Sequence, residues 1–233
     1  MAIASDLTAA PTTSVSGLRA RQKSDRLNQI LDVAEELIDT HGEAAVTTEA
    51  IAAAAGFSAP TIYNLAGTRE ELLTSIMVRS MLTFRREVEA LTTGTPLERG
   101  AKAVRICTGI FLSRERLYKE VVIRLGGPAG VGGPHAGPTP DRVQIELMTE
   151  ADAAGMFVKG TAPDVVGRQI FMSFIGALSV WAADRMVNAA FEAQTLHGYY
   201  AAVHAYAADP HRTKLEKLMR QQARKLAQLP QPA

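Results

Sequence analysis

The sequence predicts an all-α fold, with an N-terminal three-helix helix-turn-helix domain followed by a larger helical domain. Three observations lead there. Apolar residues recur at three- and four-residue spacing through most of the chain, as in helices that bury one stripe. Serine, threonine or proline opens these segments, and glycine closes several of them. No stretch of any length alternates apolar and polar residues as a half-buried strand does.

Composition narrows the classes. A chain of 233 residues buries a substantial core, and its net charge of +1 singles out no partner. One cysteine, Cys107, excludes an internal disulfide and fits a reducing compartment. The first twenty residues lack the basic start and apolar run of a signal peptide. The most apolar stretch, Ile170 to Ala183, is broken by serines and too short for a bilayer, which needs about 20 apolar residues. These features lead us to expect a soluble cytoplasmic protein with no membrane partner.

Taken in order, residues 1–20 are rich in Ala, Ser, Thr and Pro and are expected to be a disordered arm. Its end carries the basic cluster Arg19, Arg21, Lys23 and Arg26. Leu27, Ile30, Leu31, Ala34, Leu37 and Ile38 then mark an amphipathic helix from Ser24 to Thr40, which Gly42 stops. A short helix starts behind Thr47 and ends at Gly56. Another opens at Ser58, with Pro60 in its first turn, and is broken by Gly67. Thr68 and Glu71 have capping-box spacing and begin a long helix to about Ala90.

Pro96 opens a helix to about Leu125, with a break near Ser113. Residues 126–140 hold six Gly and four Pro and read as a mobile connector, a possible lid. Helices follow over 141–154, 163–187, 191–208 and 213–228. The organisation expected is an arm (1–20), a helix-turn-helix domain (21–68) and a helical domain (69–233).

Ala52 and Ala55 let the two short helices approach, Gly56 makes the turn between them, and Phe57 and Ile62 fill the space beneath. The second helix then presents Thr61, Tyr63 and Asn64 outward. Hydroxyls and helix N-terminal amides bond phosphates, and Asn and Thr read base edges, so such a surface binds duplex DNA without a charged helix. Packing alone gives no reason for that outward set. Residues 1–68 hold four basic and eight acidic residues, a net −4, so affinity must rest on local geometry, dimeric avidity and the basic arm.

Arg26 to Leu73 also resembles the TetR family of bacterial transcriptional regulators. The resemblance rests on Ile30 and Ala34, Gly42, Thr47-Thr48, Ile51-Ala52, Ala55-Gly56-Phe57-Ser58, Pro60-Thr61-Ile62-Tyr63, Thr68-Arg69-Glu70 and Leu72. It implies a dimeric repressor whose C-terminal domain dimerises and binds a ligand. Carried over by position, Tyr63 and Thr61 contact DNA, Thr48 and Ser58 bond phosphates, and Arg69 replaces a phosphate-facing lysine. The candidate DNA-binding set is Thr47, Thr48, Ser58, Ala59, Pro60, Thr61, Tyr63, Asn64, Thr68 and Arg69. After the tyrosine the family commonly has an aromatic or histidine and then phenylalanine, where this chain has Asn64-Leu65-Ala66-Gly67.

The same resemblance suggests a pocket among Phe84, Ile106, Ile110, Tyr118, Met148, Phe171, Phe174 and Trp181, which composition alone does not separate from ordinary core. Its expected occupant is a small apolar or amphipathic effector. Other chemistry finds little support. The glycine-rich segment lacks the Gly-Lys-Ser/Thr ending of a phosphate loop, and His197 and His204 are seven apart, not the three or four of a helical zinc pair. No cofactor, metal or catalytic constellation is expected, which argues against a small helical-bundle enzyme, and Cys107 reads as core. The function expected is a sequence-specific regulator, a repressor released from a palindromic operator by its effector, homodimeric through 163–187 and 191–208. The alternative is a protein-interaction module with a degenerate helix-turn-helix.

Overall fold

The computed structural model describes residues 15–126 and 140–230. Within them the chain forms α1 (Val15–His41), a 3-10 turn (Glu43–Ala45), α2 (Thr48–Ala55), α3 (Ala59–Ala66), α4 (Arg69–Glu89), α5 (Pro96–Ser113) and α6 (Glu115–Arg124). Then come α7 (Pro140–Ala153), α8 (Pro163–Ala182), α9 (Asn188–His204) and α10 (His211–Ala227). The protein is all-α; the only extended pairing among the described residues is a single antiparallel bridge between Phe157 and Ala207.

Capping explains the starts. The N–H groups of Ala50, Thr61, Glu71 and Glu98 donate to the hydroxyls of Thr47, Ser58, Thr68 and Thr95 at 3.1, 3.4, 3.2 and 3.2 Å. Glu71 and Glu98 reciprocate by accepting from the Thr68 and Thr95 N–H groups at 2.7 and 3.0 Å, which closes two capping boxes. Gly67 joins α3 to α4 with φ 73°, and a Cβ there would run into the Glu71 carboxylate. Only glycine meets both demands.

Two boundaries differ most from expectation. The first helix starts at Val15, so residues 15–20 are helical and the basic cluster sits on α1; residues 1–14 lie outside the described residues. Leu18, Arg19, Ala20 and Arg21 are good helix formers, and helix geometry there needs no buried stripe to announce it. The glycine-rich segment also lies outside the described residues, apart from its ends. The eighth helix ends at Ala182 rather than near Val187. There Asp184 takes the left-handed conformation (φ 56°), and the Asp184 and Arg185 N–H groups bond the carbonyls of Trp181 and Val180 at 3.0 and 3.1 Å. This is the Schellman arrangement, with aspartate where the sequence signal is glycine, and Lys119 Nζ holds that aspartate at 2.6 Å.

The buried residues form one continuous cluster from Ile30 to Leu215, so the core does not break where the helix-turn-helix ends. The fourth helix bridges it: Leu72 and Leu73 pack near α1 to α3, while Met81 and Phe84 are buried in the larger bundle. In the larger bundle α9 is central, lying against α5, α8 and α10. Tyr199 and Tyr200 are therefore buried, at 0% and 5% exposure, and Tyr199 Oη donates to the Leu97 carbonyl at 2.7 Å. Tyr199 thus packs against α5, and neither tyrosine is itself on the surface of α9.

The α8 helix packs closely on α7; a Cβ on Gly167 would lie 2.7 Å from the Ile145 backbone nitrogen. At 20 residues it is longer than the apolar stretch suggested, and it is long and apolar enough for a membrane span by length and composition only. Val166, Ile170, Phe174, Leu178 and Trp181 are buried along it, as in the core helix of a bundle.

Candidate nucleic-acid interface

The α2 and α3 helices meet through Ile51, Ala52, Ala55 and Ile62, all buried, with Gly56 (φ 71°) turning the chain between them. Gln29 of α1 braces the turn by donating from Nε2 to the Ala55 carbonyl at 3.0 Å. That brace had no sequence signal. On the opposite face of α3, Pro60, Tyr63 and Asn64 are exposed, and Tyr63 is 62% exposed, one of the most exposed large side chains in the described residues. Ala59 and Thr61 are half-buried, and the Thr61 and Ser58 hydroxyls bond each other at 2.8 Å. Thr47 and Thr68 are exposed at the starts of α2 and α4, and Thr48 is half-buried. Ala66 is buried and Leu65 packs against the core, so apolar residues fill the positions after Tyr63 and Asn64.

Arg69 departs from the expected role. Its Nε lies 2.6 Å from Glu43 Oε1, a contact of opposite charges rather than an aligned hydrogen bond, and its guanidinium also bonds the Glu43 carbonyl. Arg124 approaches the same carboxylate at 3.6 Å. Arg69 thus ties the start of α4 to the 3-10 turn, because a half-buried carboxylate is the nearest anion. Arg19, Arg21, Lys23 and Arg26 are exposed on α1, and none forms an ion pair among the described residues.

The acidic balance of the domain has a structural resolution. Arg79 of α4 reaches Asp32 and Glu35 at 2.7 and 2.5 Å, and Arg114, between α5 and α6, reaches Glu35, Glu36 and Asp39 at 2.8, 3.3 and 3.0 Å. Together with Glu43, five of the acidic residues of 1–68 are bound by arginines from outside it. Further along α6, Arg116 donates to the Thr40 carbonyl at 2.9 Å, and Glu120 accepts from the Glu43 N–H. The acidic face is turned toward the larger bundle, and the unpaired cations lie elsewhere on α1.

The eight expected pocket residues divide. Ile106, Ile110 and Tyr118 line an open cleft of about 600 Å³ together with Glu35, Arg79 and Arg86, and the Tyr118 hydroxyl bonds Ser80 at 2.8 Å. Phe84, Phe171 and Phe174 line a separate cavity of about 20 Å³. Met148 and Trp181 are fully buried and line neither. Trp181 stacks on Phe191 at 4.9 Å and donates from Nε1 to Asn188 at 2.7 Å, so it is a packing residue. Cys107 is buried, which pushes its thiol pKa up and keeps it unreactive. His197 and His204 are half-buried, and no group of three His, Cys, Asp or Glu able to hold an ion occurs among the described residues.

This geometry defines a class: a helix-turn-helix protein whose exposed reading face is carried on a larger helical bundle. Residues 30–76 match the model of bacterial regulatory proteins of the tetR family. The fold is similar to that of SmeT, the repressor of the Stenotrophomonas maltophilia multidrug efflux pump SmeDEF, at 22% identity and TM-score 0.63, covering 79% of this chain and 91% of that one. It is also similar to TylP, a TetR regulator from Streptomyces fradiae, at 16% identity and TM-score 0.60, covering 89% and 99%. A TetR transcriptional regulator from a Rhodococcus species aligns at 18% identity and TM-score 0.59, covering 78% and 97%. No curated protein matches the chain. The tetR family match thus covers the helix-turn-helix region, residues 30–76, and the bundle beyond it shares the fold of these structures.

Proposed function

We propose that the chain is a homodimeric, sequence-specific repressor that binds a palindromic operator and leaves it when a small apolar or amphipathic effector binds the larger bundle. The observation that carries the reading is the exposed set Pro60, Tyr63 and Asn64 on α3, beside the capped N-termini of α2 and α3. Free amides at those N-termini and the Tyr63 hydroxyl suit phosphate oxygens, and Asn64 suits an adenine edge in the major groove. The free cations of α1 supply the non-specific part of the attraction.

Release follows from α4. Its 21 residues form one rod, and about 24 Å of it runs from the Thr68 cap beside α3 to Phe84 at the cavity. The Arg79 and Arg114 contacts carry α1 along with the bundle. Two recognition helices must lie about 34–36 Å apart to enter successive major grooves, so a shift of a few ångströms at each spoils both contacts. A second copy suits α8, whose Val165 and Met172 are exposed at 46% and 61% although the helix is the most apolar of the chain.

The test is a gel shift against the DNA flanking the chain's own gene, with unlabelled flanking and unrelated DNA as competitors. Retardation that only the flanking DNA relieves is expected. Equal competition by both DNAs, or no retardation, would favour a protein-interaction module. A true effector should lower operator affinity by about 5- to 150-fold, and by reciprocity operator DNA should weaken effector binding by the same factor.

A further inference from the structure

The small cavity among α4, α5, α7 and α8 is walled by Phe84, Val104, Cys107, Ile170, Phe171 and Phe174, with one strongly polar side chain, Gln144. Gln144 is only 4% exposed. Its amide orientation is set, because Nε2 donates to the Gly100 carbonyl at 3.2 Å, and only the NH₂ end does that. The oxygen is therefore the other end, and Gln144 Oε1 is buried without a partner. An orphaned acceptor in an apolar wall costs roughly as much as a hydrogen bond is worth, so its retention asks for a donor. The cavity of about 20 Å³ has room for little more than one water, for which about 10–15 Å³ suffices. Phe171, only half-buried, is the wall nearest solvent, and an occupant larger than a water would have to displace its ring.

We infer that the effector is a neutral, ring-sized apolar molecule carrying one O–H or N–H donor, held in this cavity with Gln144 Oε1 as acceptor. Neutrality follows from the lining, which includes no charged side chain to compensate a buried ion. The larger cleft offers the opposite chemistry, with the charged side chains of Glu35, Arg79, Arg86 and Glu87 in its wall. The inference rests on the proposed effector-controlled reading but is tested apart from it.

The chain's single tryptophan supplies the signal. Trp181 lies 4.9 Å from Phe191 and 6.4 Å from Phe111, and both rings lie 6.0 Å from Phe174 of the cavity wall. Benzyl alcohol, toluene and benzoate are titrated against the full chain without DNA, following Trp181 fluorescence. Benzyl alcohol and toluene are expected to bind, and benzoate is not. In Gln144→Leu the preference for benzyl alcohol relative to toluene should fall about fivefold, because the hydroxyl loses its acceptor. A merely structural role for Gln144 moves both affinities together and leaves that ratio unchanged. Phe171→Ala, which opens the wall and keeps Gln144, should tighten both neutral probes. An unchanged ratio, no tightening in Phe171→Ala, preferential binding of benzoate, or no binding of either neutral probe would each overturn the inference. Operator binding is not part of the titration, so such failure leaves the repressor reading standing, and a failed gel shift leaves the titration intact.

Discussion

Tyr63 and Arg69 stand six positions apart, and the structure gives them opposite characters. Tyr63 is 62% exposed and makes no side-chain hydrogen bond among the described residues, so it contributes nothing to the core that its loss would uncover. Tyr63→Ala should weaken operator binding by about 1–3 kcal/mol while the melting temperature of the DNA-free protein stays unchanged. A lowered melting temperature would make Tyr63 structural. Arg69 is instead held on Glu43, whose side chain is 17% exposed. Arg69→Ala should therefore cost stability, about 1 kcal/mol for removing the nearer of two arginines from a mostly buried carboxylate, seen as a lower denaturant midpoint without DNA. Loss of operator affinity with the midpoint unmoved would restore the phosphate-facing role that the sequence position suggested.

Among the elements, the capping boxes and inter-helix arginines do different work. The box at Thr95 also carries a tertiary link: Lys214 of α10 bonds Glu98 at 2.7 Å. That bond, and behind it the Thr95 N–H, pull the Glu98 carboxyl down to about 2 from 4.5. A carboxylate with a depressed folded pKa stabilises fully above its unfolded value and loses that contribution as pH falls through the folded one. The α5–α10 link should thus be intact above about pH 4.5 and fade toward pH 2, by less than about 1 kcal/mol because both side chains are well exposed. Melting curves of Glu98→Gln and the unaltered chain should differ at pH 7 and converge on acidification; a constant gap would show the link to be inert. The Arg79 and Arg114 contacts resist screening more, since Glu35 between them is 12% exposed. They give α6 and α4 a shared hold on α1.

At the scale of the molecule, Val165 and Met172 are exposed on the apolar helix α8, and a second copy is the proposed cover. Light scattering at micromolar concentration should give a dimer mass, and Met172→Glu should give a monomer with unchanged helicity. A monomeric mass for the unaltered chain would overturn the proposal, and dimers surviving Met172→Glu would move the interface elsewhere. Helical periodicity marks which residues of α9 are apolar, but not whether a later helix lies across them, and α10 does.

What the sequence determined by itself is local in origin. The all-α class, the helix-turn-helix, the caps at Thr47, Ser58 and Thr68, the turn at Gly56 and the outward position of Tyr63 all follow from interactions within a few residues, where side-chain type and spacing decide the outcome. What tertiary structure alone decided depends on groups distant in the chain. Arg69 meets Glu43 across 26 positions, Arg114 meets Glu35 across 79, and Gln144 meets the Gly100 carbonyl across 44. The eight apolar pocket candidates likewise look alike in sequence, yet three line an open charged cleft, three line a small, mostly apolar cavity, and two pack solidly. Spacing reveals that a side chain turns inward; only the packing of whole helices determines what it finds there.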